Sequence, residues 1–169
     1  MRKYRHKDKQ TGFSLLELMA TVAVGGILLA IGLPSFVNLI KSNRLTTQTN
    51  SVLTALHLAR NEAINRGHNI RVLPLVAGTD WAPGWQVRLD VNSDGITDAD
   101  DTVLRSFDAI EDATLVGDDD NVTYQSSGFI TTASANTITL TAYECTGEDI
   151  RVIDVKLSGL VSSTRQICP

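Results

Sequence analysis

The chain has 169 residues, 15 Lys and Arg against 19 Asp and Glu, and a formal net charge of −4. Residues 1–12 hold five of the basic residues and one acid, so the remainder carries 10 basic and 18 acidic residues, a net −8. An acidic body argues against broad nucleic-acid binding, which runs on phosphate neutralisation by Lys and Arg, and the length suits one domain plus an anchor.

The basic leader (Arg2, Lys3, Arg5, Lys7, Lys9) runs into Thr11-Gly12-Phe13-Ser14-Leu15-Leu16-Glu17. From Phe13 to Leu33 there are 21 residues with one charge, Glu17. As a helix this run spans roughly 30 Å, the thickness of a bilayer core. The leader would stay cytoplasmic and the C-terminal part would be exported. An ordinary signal peptide is cut after its apolar region at a small-residue site, and no clean Ala-x-Ala follows here. Glu17 lies inside the apolar run, where an acid costs roughly 2.5–3.5 kcal/mol at the centre of a membrane helix. It needs a partner.

Beyond Pro34 the pattern becomes amphipathic. Leu45, Val52, Leu56, Ala59 and Ala63 fall on one helical face, opposite Lys41, Asn43, Thr47, Asn50, Asn61 and Asn65. Arg66-Gly67 reads as the stop. A helix from Phe13 to Arg66 is roughly 80 Å long, and Gly32 and Pro34 are expected to kink it or melt it locally. From residue 69 the signal is β. Strands are expected at 69–75, 84–90, 102–107, 122–124, 128–130, 137–143, 150–157 and 160–164, the last two as a hairpin around Ser158-Gly159.

Leader, Gly12-Phe13 and Glu17, followed by an uninterrupted apolar run, resemble the class III signal of type IV pilins and type II secretion pseudopilins. The resemblance implies cleavage after Gly12 by a prepilin peptidase and N-methylation of Phe13. It also implies pairing of Glu17 with the N-terminal amine of a neighbouring subunit, which supplies the missing partner. Trp81-Ala82-Pro83-Gly84-Trp85, with its Asp-rich turn and Val103-Leu104-Arg105 strand, is similar to the FimT/GspH branch of that family. The implied fold is α+β and pilin-like: a long N-terminal helix packed on a C-terminal antiparallel β-sheet domain. The implied organisation is a cleaved leader (1–12), a membrane or filament-core half-helix (13–34), an amphipathic half-helix (35–67) and an extracytoplasmic β-rich domain (68–169). Implied partners are other pilins or pseudopilins, the prepilin peptidase and the inner-membrane assembly platform. The implied place is the bacterial inner membrane, single-pass with a periplasmic C-terminal domain, then a filament.

Four further sets of residues invite a functional reading. Cys145 and Cys168 would be exported, where disulfides persist. A bridge would close a 24-residue loop, contribute roughly 3 kcal/mol in the chain-entropy model and tie down the terminus; two free buried thiols are the alternative.

Asp90, Asn92, Asp94, Asp98 and Asp101 place oxygen ligands at positions 1, 3, 5, 9 and 12 of a twelve-residue loop with Gly95 at position 6. That is calcium-loop spacing. Two departures stand out: position 12 is Asp rather than the usual Glu, and the flanks read as strands. A solvated Asp/Asn/Gly turn explains the same composition. Gly117–Asn121 reads as a second, merely solvated acidic turn.

Some FimT-type pilins capture DNA through a glycine-arginine motif in the C-terminal tail. Here Leu160 stands where the motif arginine would be, leaving Arg151, Lys156 and Arg165 as a thin cluster. His6, His57 and His68 pair with no nucleophile motif, so the expectation is a structural subunit and not an enzyme, with calcium as the one cofactor to consider.

Overall fold

The structure is a computed structural model that describes residues 13–92, 94–95, 100–131 and 136–169. One helix, α1 (Leu15–Arg66), precedes eight strands: β1 (Asn69–Pro74), β2 (Trp85–Asp90), β3 (Thr102–Phe107), β4 (Ala113–Gly117), β5 (Val122–Tyr124), β6 (Asn136–Ala142), β7 (Ile150–Val155) and β8 (Val161–Gln166). The leader and Gly12 lie outside the described residues.

α1 is continuous through residues 32 and 34, so the expected local melting does not occur. Loss of one amide donor at a proline breaks one ladder bond, and the rest of a 52-residue helix holds its register. The helix stops where the sequence says it should. Gly67 takes the left-handed conformation (φ 70°) and its amide donates to the Ala63 carbonyl at 3.0 Å, a C-terminal closure that glycine favours.

The chain divides into two compact units, residues 1–41 and 42–169. In the first, the large apolar side chains from Phe13 to Ile40 are exposed. The helix there is long and apolar enough to cross a membrane.

In the second unit, Leu45, Val52, Ala55, Leu56, Ala59 and Ala63 are buried, the stripe that the heptad-like spacing marks out. They join one core with inward residues of two antiparallel four-stranded sheets. The first sheet has the order β3-β2-β1-β5 and the second β4-β6-β7-β8. β4 and β6 alternate strictly between buried and exposed or half-buried positions, as a sheet with one face on a core requires.

Two devices hold the second unit together, one between the sheets and one from the helix. Trp81 and Trp85 are fully buried. The Trp81 amide donates to Leu115 of β4 at 2.8 Å, and Trp85 of β2 stacks on Phe107 of β3 at 5.5 Å between ring centroids. The Trp-x-x-Gly-Trp element therefore ties one sheet to the other.

The second device is Arg60. Its Nε donates to the Gly128 carbonyl (3.1 Å) and its Nη2 to the Ser158 carbonyl (3.3 Å), pinning two turns to the helix. Gly159 packs so tightly in the second turn that a Cβ would overlap the Gly128 carbonyl oxygen, and its φ is 74°. Only glycine suits that position.

Two β expectations need correction. Residues 128–130 form no strand: the Gly128 amide closes a turn on the Gln125 carbonyl (2.8 Å), and only Ile130 bridges, to Tyr124. β4 was not expected. Its five residues sit between acidic turns that read as loop, and it pairs with β6 residues 21 to 29 positions further along the chain, from Gly117↔Ile138 to Ala113↔Ala142. Such non-local pairing leaves little trace in a short window.

Candidate functional site

The N-terminal site is built from Phe13, Ser14 and Glu17. Ser14 caps α1: its Oγ accepts from the Glu17 amide at 3.2 Å, and its carbonyl accepts from the Glu17 and Leu18 amides at 3.1 and 3.2 Å. Ser14-x-x-Glu17 therefore places the acid at the third helical position, the pattern of a capping box. Ser14 is a functional residue beyond the expected set, and the Ser-x-x-Glu spacing is its signal in the sequence. At that position the helix dipole favours a negative charge.

Among the described residues the Glu17 carboxylate itself has no partner. Phe13 is 83% exposed, and Leu15, Leu16 and Leu18 are exposed around it. The arrangement is a capped helix start presenting one carboxylate and a collar of apolar side chains. An exposed carboxylate ringed by apolar side chains suits a cation and apolar surface rather than bond-making chemistry.

The disulfide joins Cys145 to Cys168 with Cα atoms 5.8 Å apart, as expected. It is supported by the Cys168 amide donating to the Gly147 carbonyl (2.9 Å) and by Asp149 accepting from the Thr146 amide and hydroxyl (3.2 Å each). It fastens the segment after β8 to the β6–β7 connection.

The basic residues are not one cluster. Arg151 and Arg165 face each other across β7 and β8, but Lys156 lies past the other end of β7. Arg151 is 4% exposed and donates to the Glu148 carbonyl (2.5 Å) and the Ile150 carbonyl (3.1 Å). Burial pulls its pKa down first, and the neighbouring Arg165 adds to that, with Asp149 and Glu148 acting the other way. Of these three, only Arg165 and Lys156 are exposed to an external anion.

The acidic turn at Gly117–Asn121 does more than face solvent. Asp118 Oδ2 accepts from the Thr137 amide (3.1 Å) and Asp119 Oδ2 from Asn136 Nδ2 (2.9 Å), stitching the end of β4 to β6. His57 and His68 are exposed on and just beyond the helix. In the β2–β3 loop, Asp90 and Asp101 are buried and Asn92 and Asp94 exposed. Asp98 lies outside the described residues.

The family described as type II transport protein GspH matches residues 48–159. The prokaryotic N-terminal methylation motif matches residues 7–33. No curated protein matches the chain. Two crystal structures of the type IV minor pilin FimU from Pseudomonas aeruginosa share the fold. One is 17% identical with a TM-score of 0.57, covering 70% of this chain and 91% of that one. The other is 19% identical with a TM-score of 0.58, covering 76% and 90%.

Proposed function

The chain belongs to the GspH family, and on that premise we propose that it is a minor pilin or pseudopilin, a structural subunit at or near the tip of a type IV pilus or a type II secretion pseudopilus. The observation that carries the reading is the capped start of α1, with an unpaired Glu17 among exposed apolar residues. The methylation motif covers that same segment. A prepilin peptidase hydrolyses the Gly12–Phe13 bond, which frees the Phe13 amine as a cationic terminus, and that amine is then N-methylated. On a neighbouring subunit that terminus meets Glu17. Until then the helix anchors the protein in the bacterial inner membrane with the β domain in the periplasm, and the assembly platform passes it into the filament.

A buried charge left unpaired is far costlier than a paired one, so Glu17 acts as a checkpoint for processed partners. The test is Glu17→Gln, read by filament incorporation in cells and by thermal unfolding of the purified protein. Incorporation should fall at least about tenfold, the effect of losing roughly 1.4 kcal/mol, with the melting temperature of the β domain unchanged. Normal incorporation of the variant would sink the reading.

DNA capture is the weaker alternative. It draws support only from Arg165 and Lys156, because Arg151 spends its donors on carbonyls inside the fold.

A further inference from the structure

The β2–β3 connection holds three carboxylate oxygens that the assembly reading does not use. Asp90 closes β2 and Asp101 immediately precedes β3. Asp90 is wholly buried and Asp101 is 8% exposed. Asp90 Oδ2 accepts from the Gly95 amide at 3.1 Å, so the carboxyl group is turned into the loop. Its Oδ1 is buried without a hydrogen-bond partner, and so are both carboxylate oxygens of Asp101. The nearby cation does not answer them: Arg88 Nη2 donates to the Asp101 backbone carbonyl at 3.3 Å.

Buried carboxylates in proteins are paired, hydrogen-bonded or bound to a metal. Here the available donor leaves three oxygens unanswered. The loop between the two aspartates offers more oxygen at two-residue steps. Asn92 and Asp94 are linked by Asn92 Nδ2 to Asp94 Oδ2 (2.8 Å) and by the Asp94 amide to Asn92 Oδ1 (3.3 Å). Gly95, with φ 75°, makes the turn at the sixth position. Residues 90–101 contain no Cys or His. An all-oxygen donor set selects a hard cation over zinc or copper.

Among the described residues no three of His, Cys, Asp and Glu converge on one point, so protein carboxylates alone do not build a cage. Calcium accepts six to eight oxygens, including amide carbonyls, backbone carbonyls and water, in flexible geometry. Magnesium demands a stricter octahedron.

We propose that Asp90 and Asp101 hold a calcium ion as its two buried anionic ligands, with the Asn92 side-chain carbonyl, backbone carbonyls and water completing the shell. The ion neutralises the two buried carboxylates and ties the two strand ends together. Affinity belongs to the weak, extracellular range of about 0.1–1 mM.

The test uses the full chain in detergent micelles. Thermal unfolding is followed by circular dichroism in EDTA, then with calcium chloride to about 10 mM, with magnesium chloride and sodium chloride at matched ionic strength. Calcium at about ten times its dissociation constant should raise the wild-type melting temperature by about 3–6 °C. Magnesium and sodium should have much smaller effects.

Asp101→Asn removes one buried charge. In EDTA it should melt at or above the wild-type temperature, and its calcium response should be lost. Should that variant fail to fold, calorimetric titration of the wild type with calcium decides the matter, one ion per chain being expected. No calcium shift, an equal shift with magnesium or sodium, a full shift in Asp101→Asn, or no heat of binding would each overturn the proposal.

Discussion

Two stretches of one helix use apolar residues in opposite ways. From Leu15 to Ile40 the large apolar side chains are exposed. From Leu45 to Ala63 they are gathered on one stripe and buried. The first stretch has the composition of a segment that other molecules cover, lipid or neighbouring subunits, and a helix apolar all round needs such a cover. The second is covered by the chain's own sheets. The lesson is that apolar content alone does not locate a core. The distribution of polar residues around the helix does, and it changes near Lys41, where the chain divides into its two compact units.

The sharpest way to break this contrast is a matched pair of truncations. Leu56→Ala removes a fully buried side chain from the packed stretch and should destabilise the β domain by about 2–5 kcal/mol. Leu28→Ala removes an exposed one and should change domain stability in detergent by less than about 0.5 kcal/mol. Chemical denaturation of both variants checks this. Equal losses would mean that the first stretch also belongs to the folded core.

Next in size is the disulfide, which staples the sheet unit only. Replacing Cys145 and Cys168 by Ser should lower the stability of that unit by about 3 kcal/mol. The helical circular dichroism signal of the membrane-length segment should persist in detergent. Collapse of both signals together would join what the comparison separates.

The smallest effect tests the core itself. Tyr124 is fully buried and its hydroxyl has no hydrogen-bond partner. Burial drives its pKa well above 10.0, against a smaller opposing pull from Arg60. Below pH 10 the phenol is neutral in both states and stability is independent of it. Above that the unfolded chain releases the proton while the folded chain retains it, so stability falls as pH rises. Tyr124→Phe should abolish that alkaline decline. Near neutral pH it should be neutral or stabilising by up to about 1 kcal/mol, because an unsatisfied hydroxyl is removed. Denaturant melts at pH 7 and above pH 10 measure both. A loss of more than 2 kcal/mol at pH 7 would point to a role for the hydroxyl that the packing does not reveal.

Local signals were read well where they were dense. The stripe from Leu45 to Ala63, the stop at Gly67 and the β7–β8 turn at Ser158-Gly159 all follow from periodicity or from the conformational freedom of glycine. β4 was missed because Ala113–Gly117 alternates for only five residues between acidic turns. At the candidate site, Glu17 was legible as an anomaly, while the cap at Ser14 was legible and overlooked. Burial of Arg151 was not legible at all. An arginine in an alternating strand can face either way, and only packing against its neighbours settles which.

By itself the sequence determined the long helix, its division into an all-apolar and a one-sided half, the odd carboxylate at its head and most of the strands. Each is a matter of spacing within a dozen residues, where backbone geometry maps position directly onto a face. The tertiary structure alone decided that the strands form two sheets, that Arg60 pins two turns from the helix, that Arg151 is withdrawn from solvent and that Asp90 and Asp101 are buried at one loop. All four depend on contacts between residues far apart in the chain, which no local pattern encodes.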